Sequence, residues 1–277
     1  MLSVTVLGSG SKGNAILVEG SEGAVLIDQG FGPRTITRRL KWAGRRPDEI
    51  GALLLTHEHS DHSNGAMDAS RRWGWPVFAS AGTLSALTAS PMGCPGNATP
   101  LSLAAETAVH GFDVQTTPVP HDARGCTAFV LTDRRSGYRV GIALDLGRVP
   151  AALTTAFTHL DVLIVESNHD EQMLANGPYP WALKRRIGGA LGHLANGAAA
   201  AFASGCVHRG LRGVVLAHLS ETNNTPRHAL SRTGAALRRA GWRRDALWAA
   251  HQATPCGPHG CSDGVAAGHV AQLQFAL

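Results

Sequence analysis

The chain has 277 residues, 44% of them hydrophobic and 16% charged, which supplies one substantial core and excludes a disordered chain. Its net charge of +5 is compatible with a nucleic-acid substrate without demanding one. No run approaches the roughly 18 apolar residues of a membrane helix, and the start lacks a basic stretch followed by a hydrophobic one. The expected location is therefore the cytoplasm, with no membrane partner. The five cysteines are an odd count and Cys94, Cys126 and Cys206 are scattered, so a disulfide framework is not expected.

Taken in chain order, residues 1–7 and 15–19 predict two strands joined by Gly8-Ser9-Gly10-Ser11-Lys12-Gly13-Asn14. That turn lacks the Gly-Lys-Ser/Thr ending and the following helix of a phosphate loop. Residues 24–30 predict a third strand, with Asp28 near its end. Residues 34–44 predict an amphipathic helix, Pro33 near its first turn and Gly44 closing it. A helix over 64–74, a strand over 76–79, a helix over 81–90 and a Pro- and Gly-rich loop over 91–100 follow. Strands are expected at 101–104, 112–119, 126–132 and 138–144, a helix at 149–159 and a strand at 160–166. Residues 179–203, starting with Pro180 and rich in Ala, predict one long helix, which Gly188, Gly189, Gly192 and Gly197 weaken. Thr225 caps a last helix that has Pro226 at its first position and runs to about 240. Strand clusters interrupted by helices predict one α/β domain built as an αββα sandwich.

Residues 53–65 read Leu-Leu-Leu-Thr-His-Glu-His-Ser-Asp-His-Ser-Asn-Gly. Three apolar residues finish a buried strand, and four ligand-type side chains follow at once: His57, His59, Asp61 and His62. Two imidazoles two residues apart on an extended segment project to one side and can share a cation. Asp61 and His62, as an adjacent pair on a tight turn, can face a second cation. Imidazole and oxygen donors without thiolate suit zinc, manganese or iron and leave positions open for water and substrate. The pattern predicts a two-metal hydrolase site.

His-x-His-x-Asp-His resembles the hallmark motif of the metallo-β-lactamase superfamily. Three further strings follow apolar runs in the order that family has: Pro118-Val119-Pro120-His121-Asp122, Ile142-Ala143-Leu144-Asp145 and Val215-Leu216-Ala217-His218. The resemblance implies a first divalent metal held by His57, His59 and His121. It implies a second held by Asp61, His62 and His218, with Asp145 bridging. It also implies that Asp28 orients a metal-binding histidine from behind. Val165-Glu166-Ser167-Asn168-His169-Asp170, Asn176-Gly177-Pro178-Tyr179-Pro180, Gly192-His193-Leu194-Ala195-Asn196 and the run from Ala217 to Pro226 narrow the likeness. They are similar to the YycJ/WalJ branch, regarded as DNA exonucleases and related in fold to ribonuclease Z. The likeness covers about residues 1–230 and fades beyond.

What this resemblance implies chemically is a hydroxide shared by two cations roughly 3.5–4 Å apart, attacking phosphorus in line. Asp61 would hold the nucleophile's proton, and His169 would protonate or polarise the leaving 3′-oxygen. Glu166 and Asn168 would shape the pocket. Basic residues cluster at 34–46, at Lys184, Arg185 and Arg186, and at 238–244. The middle cluster follows Gly-Pro-Tyr-Pro and is the expected phosphate track, with Tyr179 and Trp181 available to stack on a base. DNA is the expected substrate, with RNA open and the oligomeric state unread. Two alternatives stand: hydrolysis of a lactone, thioester or β-lactam on the same metals, and a non-catalytic module that binds DNA ends. Cys256, His259 and Cys261 suggest either a zinc clip or an inert Gly/Pro loop.

Overall fold

The computed structural model describes residues 1–91, 93–103 and 105–261. Alternation along the strands decides the layering, because successive side chains leave a strand on opposite faces. Val4, Val6, Ile16, Val18, Val25, Ile27 and Leu54 point into the space between two sheets, where they meet Phe112, Val114, Phe129, Leu131, Ile142, Ile164 and Val215. Leu7, Leu17, Leu26, Leu53 and Leu55 point the other way, onto helices. Each such side chain contributes about 1.5–3 kcal/mol when fully buried.

The first sheet runs in the order β14 (Cys256–Cys261), β1 (Leu2–Gly8), β2 (Ala15–Glu19), β3 (Ala24–Ile27), β4 (Ile50–Leu54), β5 (Val77–Ser80) and β6 (Ala98–Leu101). Neighbours are antiparallel from β14 to β3 and parallel from β3 to β6. The second sheet repeats the scheme: β7 (Glu106–Val109), β8 (Phe112–Pro118), β9 (Thr127–Asp133) and β10 (Arg139–Ala143) are antiparallel. Then β10, β11 (Val162–Glu166), β12 (Gly213–Ala217) and β13 (Leu247–Ala249) are parallel.

Helices cover both outer faces. On the first sheet, Ile36 and Leu40 of α1 (Pro33–Trp42) join Ala66 and Ala69 from α3 (Ala66–Trp73) and Leu87 from α4 (Ala81–Ala89). A single turn, α2 (Ser60–Ser63), precedes α3 and carries Asp61 and His62, the second half of the His-x-His-x-Asp-His motif. On the second sheet, Leu153 of α5 (Ala151–Ala156), Phe202 and Ala203 of α8 (Asn196–Gly205) and Ala229 and Leu237 of α9 (Pro226–Arg239) pack on Val130, Leu163, Val165, Val214 and Leu216. The result is the αββα sandwich expected from the sequence. Among the described residues no helix is long and apolar enough to cross a membrane.

Several expectations are corrected. Residues 179–203 are not one helix but two, α7 (Trp181–Ile187) and α8, separated by a loop. The loop folds back tightly: the His193 amide donates to the Ile187 carbonyl at 2.8 Å, and a Cβ at Gly192 would come within 2.1 Å of that same oxygen. Only glycine permits this approach, so Gly192 ends the Ala-rich pattern. Part of the expected 91–100 loop is strand, since β6 already starts at Ala98. Residues 256–261 form an edge strand on β1 rather than a loop, with Cys256 Sγ 3.3 Å from His259 Nε2. The suggested zinc clip depends on the Cys261 side chain, which lies outside the described residues. α6 (Glu171–Asn176), β7 and β13 carried too short a pattern to be predicted.

Candidate metal centre

Strands from both sheets end at one edge of the sandwich, and their last residues and the loops after them converge. His57 and His59 follow β4, His121 follows β8, Asp145 follows β10 and His218 follows β12. His57, His59 and His121 form one group whose ring centroids lie 4.6–5.1 Å apart. Asp61, His62, Asp145 and His218 form a second. Asp145 joins the two: its Oδ2 lies 2.6 Å from His62 Nε2 and 3.4 Å from His57 Nε2, and its Oδ1 lies 2.7 Å from His218 Nδ1. Asp28, Asp145 and His218 all hold positive φ angles, of 62°, 50° and 52°. Non-glycine residues adopt this left-handed conformation at a cost, and such strain concentrates at functional sites. Here it turns each chain sharply out of its strand and aims the side chain along the edge.

A buried ring of hydrogen bonds orients these ligand-type groups. Asp28 Oδ2 accepts from His62 Nδ1 at 2.7 Å, while its carboxylate also receives the Thr56 amide and hydroxyl. Thr56 Oγ1 in turn meets His57 Nδ1 at 3.0 Å. His121 Nδ1 donates to the Gly192 carbonyl at 3.0 Å. Glu166, the last residue of β11, accepts from His218 Nδ1 at 3.0 Å and from His193 Nδ1 at 2.7 Å. Asn168 Nδ2 donates to the His218 carbonyl at 2.9 Å. With one ring nitrogen of a histidine engaged, the tautomer is set and the other nitrogen is left for a metal.

The Gly-rich turn at 8–14 braces the same loops. Asn14 Nδ2 lies 3.0 Å from His62 Nε2, and the Asn14 amide donates to the Asp61 carbonyl at 2.7 Å. Ser9 Oγ donates to Asn14 Oδ1 and accepts the His218 amide, both at 2.8 Å. A Cβ on Gly30 would sit 1.9 Å from the Asp61 carbonyl, so that close approach requires glycine.

Electrostatics divides the site in two. Burial, then repulsion from His62, holds His57 well below the usual histidine range, and burial lowers His121 as well. In the second group burial opposes ionisation, yet Asp145 raises both His62 and His218 well above their ordinary value. Against burial, His218 and His62 hold Asp61 and Asp145 far down, so both carboxylates stay ionised. Neutral imidazoles on one side and ionised carboxylates on the other are the protonation states that metal ligands require; a cation displaces the remaining imidazole protons. His57 Nε2 and His218 Nε2 are buried with no closer polar neighbour among the carboxylates than 3.4 Å, to Asp145 and Asp61 respectively, and neither makes a hydrogen bond among the described residues. Buried ring nitrogens are seldom left so, and a divalent cation satisfies both. The donor set fits such a metal. A third cluster, Asp145, Glu166, His193 and His218, fits less well. Glu166 is already occupied by two imidazoles and by the Leu146 and Leu194 amides at 3.1 and 3.0 Å.

His169 stands apart from these groups. It is buried, its Nδ1 has no hydrogen-bond partner among the described residues, and its carbonyl receives the Asn196 amide. Among the expected substrate contacts, Lys184 Nζ donates to the Ala175 carbonyl at 2.7 Å, and Arg185 lies over the Trp181 ring at 4.8 Å. Arg186 reaches Asp122, Nη2 to Oδ2 being 2.6 Å. Tyr179 and Arg186 line a cavity of about 210 Å³ together with Asp122, Leu183 and His193. His193, Asn14 and Asp122 also belong to the site, although the sequence does not single them out. His193 stood in a string similar to a known branch, and Asp122 directly followed a ligand-type His. Nothing local marked Asn14 beyond a turn.

The family described as "Beta-lactamase superfamily domain" matches residues 24–219. The exodeoxyribonuclease WalJ of Streptococcus pneumoniae is 31% identical over 224 residues, covering 79% of this chain and 82% of that protein. The exodeoxyribonuclease YycJ of Bacillus anthracis is 30% identical over 224 residues, covering 80% and 84%. Among solved structures, the metallo-β-lactamase fold protein YhfI from Bacillus subtilis shares the fold with a TM-score of 0.67 at 14% identity, over 93% of this chain and 100% of that one. Zn(2+)-bound PqqB from Methylobacterium extorquens gives a TM-score of 0.66 at 18% identity, over 92% and 99%. By its matched domain and by its likeness to WalJ and YycJ, the chain belongs to the β-lactamase superfamily.

Proposed function

We propose that this metal-dependent hydrolase cleaves phosphodiester bonds of DNA from a strand end. The observation that carries the reading is the pair of His/Asp groups meeting at Asp145, in a chain about 30% identical to two proteins named exodeoxyribonuclease. His57, His59 and His121 would hold one divalent cation, and Asp61, His62 and His218 a second, with Asp145 shared between them. Zinc and manganese suit these donors, and iron is compatible. Such cations lower the pKa of water towards neutrality and offset charge on phosphate oxygens.

The protein's own groups do the rest. Asp61, kept ionised by His218 and His62, accepts the proton of the attacking water. His169, which burial keeps towards its neutral form, polarises the leaving 3′-oxygen through a ring N–H. Glu166 and Asn168 position His218 and shape the pocket. Tyr179, Lys184, Arg185 and Arg186 form the substrate side, and the site works in the cytoplasm.

The test is incubation of purified protein with manganese and end-labelled duplex. Stepwise release of nucleotides supports the reading, and an RNA strand in parallel reports sugar preference. Hydrolysis of lactone or thioester esters alone overturns it in favour of another hydrolase. A gel shift without cleavage overturns it in favour of a DNA-end-binding module.

A further inference from the structure

We infer that the cavity beside α7 receives a single unpaired nucleotide at the strand end, and that Arg186 reads its phosphate after leaving Asp122. The inference rests on the phosphodiesterase reading above and names the substrate form that site takes.

The cavity has two unlike walls. Leu183, Ile187 and the ring of Tyr179 form an apolar side on which a base can lie. Asp122, Arg186 and His193 form a polar side. His193 ties this side to the metal centre, its Nδ1 being 2.7 Å from Glu166 and 3.1 Å from Asp145. A nucleotide whose base rests on the apolar wall therefore directs its phosphate towards the His/Asp groups.

Arg186 is the member of the basic cluster that opens on this space. Lys184 is engaged with the Ala175 carbonyl and Arg185 with Trp181. Arg186 Nε and Nη2 both point at Asp122 Oδ2, at 2.7 and 2.6 Å, and the other oxygen of Asp122 lies 3.3 Å from His121 Nε2. The pair is exposed, with the Arg186 side chain 65% accessible, so solvent screens it and it opens at little cost. A phosphate offers the same planar fork two oxygens in bidentate geometry. Asp122 is thus a resting counter-ion that keeps Arg186 at the cavity mouth.

Size selects the substrate form. At about 210 Å³ the cavity lies below the roughly 300–1,000 Å³ of pockets for drug-sized ligands, so it admits one base, with the sugar and phosphate left at its mouth beside Arg186, and no base pair. The terminal base must part from its partner before entering, and a base already mismatched or single-stranded does so more readily.

The experiment uses the manganese-loaded protein and three substrates of one sequence: single strand, blunt duplex, and duplex with a mismatched terminal pair. Single-stranded and mismatched ends should be cut about tenfold faster than the paired end. Calorimetry with a deoxynucleoside monophosphate should show binding that weakens about tenfold or more in Arg186→Ala and in Leu183→Trp, which fills the cavity. KM for DNA should rise in Arg186→Ala more than turnover falls, while metal content stays the same. Equal rates on paired and mismatched ends, or equal monophosphate affinity in wild type and both variants, overturns the inference while leaving the nuclease reading intact. DNA left uncut by the wild-type protein removes that reading and this inference with it.

Discussion

Glu166 and His193 are joined at 2.7 Å although 26 residues of chain lie between them, and the same carboxylate oxygen also accepts from His218 at 3.0 Å. One buried group thus orients imidazoles from two different loops. Burial alone would depress His193, but Glu166 and Asp145 push it up to about 10. Glu166→Gln keeps the shape but cannot accept from both imidazoles and both backbone amides with a single oxygen. The affinity of the Asp61–His62–His218 group for zinc should fall about 10- to 100-fold, as losses behind a ligand usually do. A chelator-competition titration checks this, and unchanged affinity would show that the carboxylate is dispensable.

Elemental analysis of reconstituted protein should give two divalent metals per chain. His57→Ala should remove one, and Asp145→Asn should weaken both, since Asp145 touches both groups. Asn is the better probe than Ala because it tolerates the left-handed backbone that position 145 adopts. One metal or fewer in the wild type argues against a dinuclear centre.

His169 should matter in proportion to how poor the leaving group is. His169→Ala should slow cleavage of natural DNA by roughly 10²-fold, and slow a nitrophenyl phosphodiester much less, with both metals retained. Equal losses on the two substrates would leave His169 a structural role, and loss of a metal would make it a ligand.

DNA affinity should weaken with salt as phosphate contacts release counterions. Replacing Lys184, Arg185 and Arg186 together with Ala should lessen the slope of log affinity against log salt and raise KM more than it lowers turnover. A triple variant with the wild-type slope removes α7 from the substrate track.

His259 sets an acid limit on stability. It is buried with its ring 4.1 Å from that of Trp248, and burial pulls it down to about 4. Its folded value lies below its unfolded value of 6.5, so between those limits the unfolded chain binds the extra proton. Stability is complete above pH 6.5 and falls as pH drops towards 4, by about 3 kcal/mol from this group. Urea unfolding at pH 7 and pH 4.5 checks it: His259→Phe, which keeps the stacking, should lose about 2–3 kcal/mol less than wild type over that interval. Parallel losses would move the acid sensitivity elsewhere.

The sandwich and the His57–His62 motif were legible because their signals are local. Period-two alternation separates Val4 and Val6 from Leu7, and the ligand-type residues of the motif fall within six positions of one another after an apolar strand. The later strand ends at His121, Asp145 and His218 could be picked out because each follows an apolar run in the expected order. Asn14, Asp122 and His193 could not, since each acts through partners far away in the chain: Asn14 on His62, Asp122 on Arg186, His193 on Glu166. The same holds for residues 179–203, where the Ala-rich composition favours one helix and the close approach of Gly192 to Ile187, with the hydrogen bonds that His193 and the Leu194 amide make to Glu166, favours two. It holds too for residues 256–261, whose Gly and Pro read as loop until pairing with β1 makes them an edge strand. Propensity weighs a residue against its neighbours in sequence by at most about 1 kcal/mol outside proline, and contacts made across the fold outweigh it.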